Sequence, residues 1–229
     1  MQSVALVTAM AVNSEGRREI LGIAVGAAET EELWKSFLRE LLERGLHGVQ
    51  LVISDAHCGL DNAIAQVLIG TTWQRCRVHF MRNVRQHVPR SAEKEVSDQV
   101  RSVFEQPSHH HARGQLQRVV DDLTTPYPKV AELLEAAGED ILAHMHFPKS
   151  HWVRIRSTNP LERLNREIKR RFNVVGIFPN RPAVIRLGGA ALLEQHEEWM
   201  TGRRYFGEES ISTVLDPTGH QPGTRAADD

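Results

Sequence analysis

The hydrophobic pattern of this chain changes near residue 79, and that change constrains the fold more than any other feature. Before it, short apolar runs rich in Val and Ile alternate with helical stretches. After it, apolar residues recur at helical spacing up to about residue 156. Prolines break this second region at Pro89, Pro107, Pro126, Pro128 and Pro148. The sequence therefore predicts a part that contains a sheet, followed by several helices without strands.

The first part carries signals for four strands and two helices. Two apolar runs, Val4 to Val12 and Glu19 to Val25, flank a polar turn and predict a hairpin. An amphipathic helix follows over Glu29 to Arg44, with Thr30 as a candidate N-cap. The remaining predicted elements are a strand over 49–54, a helix over 60–68 and a strand over 72–78.

Four segments follow from these patterns. Residues 1–78 contain the sheet, 79–156 form a helical insertion, and 157–206 form a last pair of helices. The end of the chain, 207–229, is polar, acidic and rich in Gly and Pro, which predicts a disordered tail. We expect an α/β fold in which a mixed sheet is flanked by helices and interrupted by an all-α insertion.

Composition excludes several classes of protein. The chain has 41% hydrophobic and 25% charged residues, two cysteines and no long apolar stretch, so we expect a cytoplasmic protein without a membrane span or a disulfide framework. The net charge is only −1, but the windows 74–92 and 151–172 are basic. Such windows are as often solvated surface as binding surface. Trp152, in the second window, either stacks on an unpaired base or fills the core, and packing is favoured.

Two acids stand where chemistry is common. Asp55 follows an apolar strand, which is typical of α/β active sites, although a turn or helix-capping role is equally ordinary there. Glu162 follows Asn159 and Pro160, so it falls at the third helical position and a capping box with Asn159 explains it well. The capping box does not explain the polar face that Glu162 shares with Asn165, Arg166 and Lys169.

Cys76 and His79 form a C-x-x-H pair. A zinc site needs about four ligands. Only His57 and Cys58 stand out as further ligands, and their spacing matches no zinc motif, so a packed structural pair is favoured. The run 109–111 of three histidines is interpreted as a loop or the start of a surface helix, and not as a ligand cluster.

Three blocks of sequence, in order, resemble the signature blocks of mutator-type transposases of bacterial insertion sequences. The blocks are Val52 to His57, Trp73 to Asn83 and Ser157 to Asn165, with shorter matching spans at Glu15 to Gly22, Val175 to Pro179 and Arg203 to Phe206. The resemblance covers roughly residues 4 to 206. It implies an RNase H-like mixed sheet, with Asp55 as the second catalytic acid of a DDE set and Glu162 as the third. Glu167 is the near alternative for Glu162, and Cys76 with His79 matches the characteristic C-x-x-H that shapes the site.

The same resemblance implies the chemistry and the partners. Carboxylates from separate elements hold two Mg²⁺ or Mn²⁺ ions about 3.5 to 4 Å apart for DNA cleavage and strand transfer. The expected partners are transposon ends, target DNA and further copies of the chain, in a nucleoid-associated cytoplasmic location. The residues expected to contact DNA phosphates are Arg75, Arg77, Arg82, Arg163, Arg166, Lys169 and Arg170.

One departure from the family pattern changes the functional expectation. The resemblance places the first catalytic Asp on a strand ahead of the hairpin, and residues 1–20 contain no Asp. Glu15 and Glu19 belong to the turn and the following strand. We therefore expect an N-terminally truncated chain that lacks the first strand and is inactive alone. The alternatives are a non-catalytic DNA-binding or regulatory remnant, and a helical module stabilised by metal at Cys76 and His79.

Overall fold

The computed structural model describes residues 4–215 as a mixed α/β structure with small sheets flanked by helices. Strands β1 (Ala5–Val12) and β2 (Arg18–Gly26) pair antiparallel, which confirms the predicted hairpin. Strands β3 (Leu51–Ser54) and β4 (Thr72–Arg75) pair in parallel. Within residues 4–215 these pairs form two separate two-stranded sheets.

Helices account for most of the remaining described chain. They are α1 (Glu31–Glu43), α2 (Cys58–Val67), α3 (Arg77–Gln86), α4 (Glu93–Phe104), α5 (His109–Thr124), α6 (Pro128–Leu142), α7 (Trp152–Ile155), α8 (Asn159–Val175), α9 (Arg181–Thr201) and α10 (Glu208–Leu215), with a 3₁₀ turn at Ala143–His146. In the part of the chain that the structure describes, no helix combines the length and apolar character needed to cross a membrane.

Other elements cover both faces of the hairpin. Helix α1, the hairpin and the α8–α9 pair therefore form three layers. Side chains alternate along a strand, so neighbours point to opposite faces. Val7 packs with Phe37 and Leu41 of α1, whereas Leu6 packs with the buried residues of α8 and α9. A bulge between Ala9 and Met10 preserves this two-sided burial along the hairpin.

The observed ends of α1 and β4 show where the predicted bounds were right and where they were wrong. Thr30 caps α1 as predicted, because its hydroxyl accepts a hydrogen bond from the Leu33 N–H at 3.2 Å. The strand predicted over 72–78 was too long: it ends at Arg75, because Cys76 is the N-cap of α3 and Arg77 begins the helix. Sequence periodicity could not separate the two, since Val78 suits either element.

The segment after β4 is helical, as predicted, and has its own core. Helices α3 to α6 bury a continuous cluster that includes Phe80, Val100, Leu123 and Leu134, each at most 1% exposed. Trp152 packs against this cluster and donates from Nε1 to the Phe147 carbonyl at 2.8 Å, which confirms the packing interpretation of this residue. The boundaries assigned to the insertion stay a prediction.

A single buried amide joins the sheet to this helical segment. Gln74, on β4, is fully buried and donates from Nε2 to the Ile141 carbonyl at 3.1 Å. Its Oε1 accepts from the His144 backbone N–H at 2.7 Å and lies 2.9 Å from His144 Nδ1. Burial lowers the pKa of His144 to about 4, so the ring is neutral at pH 7 and Nδ1–H can donate to the amide.

The start of the predicted disordered tail is a helix. Residues Glu208–Leu215 form α10, whose Ser210 hydrogen bonds to His151. Its Ile211 side chain approaches Gly16 in the hairpin turn. These contacts with the folded part explain why composition alone misled the prediction here. The rest of that tail, 216–229, lies outside the described residues.

Replacing Gln74 with Met tests whether its hydrogen bonds hold β4 against the end of α6. The change keeps side-chain volume but removes the hydrogen bonds to Ile141 and His144, leaving buried backbone groups without partners. We expect the free energy of unfolding to fall by about 2 to 4 kcal/mol, because each buried polar group left without a hydrogen bond costs about 1 to 3 kcal/mol. Urea denaturation followed by circular dichroism measures this, with Gln50→Met on the exposed surface as the matched control.

A wild-type midpoint for Gln74→Met would contradict this role of the amide.

Candidate active site

Asp55 lies in the loop at the carboxyl end of β3 and is exposed. It does not cap the next helix, because α2 begins at Cys58 and its N-cap position is His57. The Asp55 carbonyl accepts a hydrogen bond from the His57 N–H at 2.9 Å, which shapes the loop through the backbone and leaves the carboxylate available. The capping interpretation of this acid is therefore wrong.

Cys76 lies beside this loop at the end of the sheet. The register that pairs Ser54 with Arg75 continues for one residue, since the Cys76 N–H donates to the Ser54 carbonyl at 2.6 Å. Cys76 is fully buried. Asp55 follows Ser54, and Cys76 follows Arg75, so both residues leave the sheet at the same edge. Asp55 therefore lies near the start of α3.

Glu162 reaches the same edge through Thr158. The Thr158 N–H and hydroxyl approach Cys76 Sγ at 3.4 and 3.3 Å, and the hydroxyl lies 3.1 Å from Glu162 Oε1. Thr158, and not the predicted Asn159, occupies the N-cap position of α8. No side chain makes a capping hydrogen bond there, so the predicted capping box is absent from this described helix. The Glu162 carboxylate instead faces the Thr158 hydroxyl and the His79 ring.

His79 completes a cluster with these residues. It lies on the first turn of α3, and its Nε2 is 3.6 Å from Glu162 Oε1. One potential ligand atom from each of Cys76, His79 and Glu162 lies within 4.8 Å of the others. Of the pair considered as further zinc ligands, Cys58 is exposed at the start of α2, and neither it nor His57 belongs to this cluster.

The polar face of α8 also contacts the hairpin. Thr8, a buried residue of β1, donates from its hydroxyl to Asn165 Oδ1 at 2.8 Å. Asn165 is one turn beyond Glu162 on the same side of α8. The hairpin, the parallel strand pair and the start of α8 therefore converge on one region.

Asp61, which sequence reasoning missed, is a further acid near Asp55. It lies in the first turn of α2, and burial together with the Asp140 carboxylate raises its pKa to about 6, while Arg75 acts in the opposite direction. One of its oxygens is buried without a hydrogen bond. The only signal for Asp61 in the sequence was that it lies close to Asp55 along the chain.

The arginines predicted to contact DNA divide into two groups. Arg75 lies over the Phe80 ring and Arg77 over the Phe104 ring, with guanidinium carbons 5.1 and 4.2 Å from the ring centroids. Burial lowers the pKa of both, that of Arg77 to about 10. These contacts give them packing roles, and their DNA contact stays a prediction. The exposed members of the predicted set are Arg82, Arg163, Arg166, Lys169 and Arg170.

Glu167, the near alternative for Glu162, has a different environment. Arg170 and Arg171 hydrogen bond to its carboxylate at 2.7 to 3.1 Å and lower its pKa to about 2. It is not part of the cluster with Cys76 and His79. The geometry favours Glu162 over Glu167 as the site acid.

A basic and aromatic surface, which we call the arginine pocket, adjoins the start of α8. Its lining includes Arg18, Arg154, Arg203, Arg204 and Tyr205, around a cavity of about 500 Å³. A neighbouring cavity of about 470 Å³ shares Arg18, Arg154 and Tyr205 and extends to Asn159 and Arg163. Sequence analysis did not propose Arg18, Arg203 or Arg204 as binding residues, although the basic and aromatic run at 203–206 was a usable signal.

Backbone contacts hold this pocket in place. The Gly16 carbonyl, in the hairpin turn, accepts from the Tyr205 and Phe206 N–H groups at 2.8 and 3.0 Å. A Cβ at Gly16 would lie 2.3 Å from the Phe206 carbonyl oxygen, and φ is +75°, so both space and conformation require glycine. Arg18 then stacks between Trp199 and Tyr205, at 4.4 and 4.9 Å from their centroids.

One histidine of the run 109–111 does enter a cluster. His109 begins α5, and its Nε2 lies 3.3 Å from Glu139 of α6, with His146 close enough for all three to share an ion. The sequence interpretation of a surface helix start is confirmed, but the ligand grouping was missed because Glu139 and His146 are distant in sequence. Arg113 also pairs with Glu139, at 3.0 Å.

An exposed acid at a strand end, a Cys, His and Glu group beside it and an adjoining basic pocket suit a protein that handles nucleic acid with divalent metal. The sequence matches the family described as Transposase, Mutator family, over residues 1–202. This chain belongs to that family, which confirms the resemblance found from the sequence blocks.

Curated relatives are described as transposases for insertion sequence elements. The transposase for insertion sequence element IS1081 of Mycobacterium tuberculosis is 50% identical over 204 residues, covering 89% of this chain and 49% of the relative. The transposase for ISRM5 of Rhizobium meliloti is 37% identical, covering 92% and 53%. The transposase for IS256 in transposon Tn4001 of Staphylococcus aureus is 38% identical, covering 86% and 51%. The chain spans about half the length of these relatives.

Replacing Asp61 with Asn tests the electrostatics of this region. A carboxyl whose folded pKa is raised binds its proton more tightly when folded, so stability falls as pH rises from about 4 through about 6. Asn resembles the protonated form and removes this loss. We expect Asp61→Asn to be more stable than the wild type by about 1 to 2 kcal/mol at pH 7.5, after allowance for solvent screening.

Urea denaturation at pH 4 and 7.5 in the presence of a chelator measures this difference, which should vanish at pH 4. The exposed Asp122→Asn is the control. Equal stabilisation by Asp61→Asn at both pH values would contradict the explanation.

Proposed function

We propose that this chain contributes the second and third carboxylates, Asp55 and Glu162, to a DDE site for DNA cleavage and strand transfer. The observation that carries the proposal is the chain of contacts from Ser54 through Cys76 and Thr158 to Glu162. These contacts link Glu162 to Cys76, whose N–H bonds to Ser54, the residue before Asp55, and so support a shared site for the two acids. The family and its relatives, described as transposases, support DNA as the substrate.

The chemistry of the two acids fits the divalent metal that the family implies. Carboxylate oxygens are the ligands that Mg²⁺ prefers, and Mn²⁺ accepts the same set. Asp55 and Glu162 would hold the ions, which when bound supply activation of the attacking oxygen and charge stabilisation at the leaving oxygen. Asp55 is exposed and Glu162 is one-third exposed, so both are accessible to metal and to a DNA phosphate.

We propose further that the two small sheets belong to one RNase H-like sheet. β1 and β3 each have a single hydrogen-bonded neighbour in the described chain. Helix α1 packs against the hairpin and against α2, in one core that also includes Val52 of β3. A strand between β1 and β3 would pair both edges and would bring a further acid beside Thr8 and Asn165. Before Asp55 the acids of this chain are all glutamates, none at such a position.

We propose that residues 1–229 by themselves have low activity, because they supply two carboxylates of a set of three. Two of three carboxylates leave the ions weakly held, and a displacement of about 1 Å can reduce a rate about a hundredfold. Homo-oligomerisation, expected from the family resemblance, stays part of the proposal.

The arginine pocket is the proposed path for DNA near the acids. Arg18, Arg154 and Arg163 lie at its border with the start of α8, and Arg163 directly follows Glu162. Guanidinium groups suit phosphate oxygens, and Tyr205 offers a ring for base stacking. Exposed Arg166 and Lys169 continue the basic surface along α8.

Plasmid cleavage and strand transfer with Mg²⁺ or Mn²⁺ tests the proposal. The comparison is between this chain and one extended upstream by an Asp-bearing strand taken from a relative. We expect activity in the extended form, lowered at least about a hundredfold by Glu162→Gln or Asp55→Asn, because each change removes several kcal/mol of metal-dependent stabilisation. Glu167→Gln is the matched control and should retain activity.

Three results would count against parts of this proposal. Activity of residues 1–229 alone would contradict the need for a third acid. Equal loss with Glu162→Gln and Glu167→Gln would contradict the assignment of the third acid. Salt-dependent DNA binding without cleavage in either form, indifferent to Mg²⁺, would favour the non-catalytic alternative.

A further inference from the structure

The Cys76, His79 and Glu162 cluster has the donor set of a zinc-class site. Thiolate, imidazole and carboxylate are the three ligand types that Zn²⁺ accepts, at about 2.0 to 2.3 Å, which places donor atoms about 3.3 to 3.8 Å apart in a tetrahedral site. His79 Nε2 and Glu162 Oε1 are 3.6 Å apart, and the three ligand atoms lie within 4.8 Å of one another. Small side-chain rotations suffice to bring them onto one ion.

The surroundings of Cys76 suit a metal-bound sulfur. The Thr158 N–H approaches Sγ as a donor at 3.4 Å, and the Thr158 hydroxyl can give its one proton either to Sγ at 3.3 Å or to Glu162 Oε1 at 3.1 Å. Donors of this kind orient ligands and balance their charge in metal sites. Cys76 also stands at the N-terminus of α3, where the helix dipole favours negative charge.

His79 is free to act as a ligand. Its Nδ1 is buried without a hydrogen-bond partner in the described structure, and its Nε2 points towards Glu162. The ligand nitrogen is Nε2, which faces Glu162; Nδ1 lies on the other side of the ring, where no hydrogen bond holds the ring in its orientation in the described structure. The i, i+3 spacing from Cys76 on the first turn of α3 keeps both side chains on one side of the helix.

We propose that these three residues bind one soft divalent transition-metal ion, of which Zn²⁺ is the representative, with a fourth position open to water. Mg²⁺ competes only weakly for this set, because Glu162 alone offers the oxygen ligand that Mg²⁺ prefers. The consequence for activity rests on the proposed function: an ion held here withdraws Glu162 from the DNA-cleaving site and inhibits it. Metal binding itself does not depend on that function.

Absorption spectroscopy of the Co²⁺ complex tests this binding without DNA. Titration of the full chain with Co²⁺ should give a stoichiometric sulfur-to-cobalt charge-transfer band and tetrahedral d–d bands, both retained in excess Mg²⁺. Cys76→Ala should abolish the charge-transfer band, and Cys58→Ala, which removes the exposed cysteine, should retain it. His79→Gln and Glu162→Gln should weaken Co²⁺ binding at least about tenfold, and Glu167→Gln should not.

The proposal is overturned if no charge-transfer band appears, or if Cys58→Ala removes it. Circular dichroism checks that each variant folds; if Cys76→Ala does not, unchanged Co²⁺ affinity in folded His79→Gln still refutes the site. Co²⁺ bound only at His109, Glu139 and His146 would lack the sulfur band and be lost in His109→Gln, which also refutes it. Failure here leaves plasmid cleavage by the extended chain untouched, so the two proposals are separable.

Discussion

The contacts of Cys76 connect the parts of this structure that matter for function. Its backbone extends the parallel strand pair by one hydrogen bond to Ser54, and its buried sulfur accepts from Thr158. Because Thr158 is the N-cap of α8, the position of Glu162 depends on these two contacts. A small residue with a weakly polar acceptor fits here, where a larger side chain would separate strand and helix.

Three further sets of contacts stabilise the region around Cys76 and the start of α8. The hairpin lies between α1 and the α8–α9 pair, and Thr8 reaches the polar face of α8. Gln74 ties β4 to the end of α6 through buried hydrogen bonds. The Gly16 carbonyl fixes the run at 203–206, which places the arginine pocket beside α8. Helices α3 to α6 follow directly after Cys76, and the core that they share stabilises α3.

Local patterns predicted most of the helices and strands and singled out Asp55 and Glu162 as candidates, but they did not predict the contacts around these residues. Period-two and helical spacing identified the hairpin, α1, α8 and α9, because each buries an apolar face. The junction of β4 with α3 was misplaced, since Val78 fits both. Thr158 replaced Asn159 at the cap, and Asp61 was missed, because burial and neighbouring charge are properties of the fold. The grouping of His109 with Glu139 also depends on helix packing that no local pattern encodes.

Fe²⁺-directed cleavage of the protein backbone tests most directly whether Asp55 and Glu162 face one metal. Fe²⁺ with ascorbate and peroxide cuts the chain next to the bound ion, and mass spectrometry locates the cuts. The experiment is done in the His79→Gln variant, which removes the transition-metal site proposed at Cys76, His79 and Glu162. There we predict cuts both near residues 54–57 and near 158–163, both suppressed by millimolar Mg²⁺ and both lost when Asp55→Asn is added. Cuts at 158–163 that persist after Asp55→Asn is added, or cuts confined to one of the two segments, would contradict a shared metal.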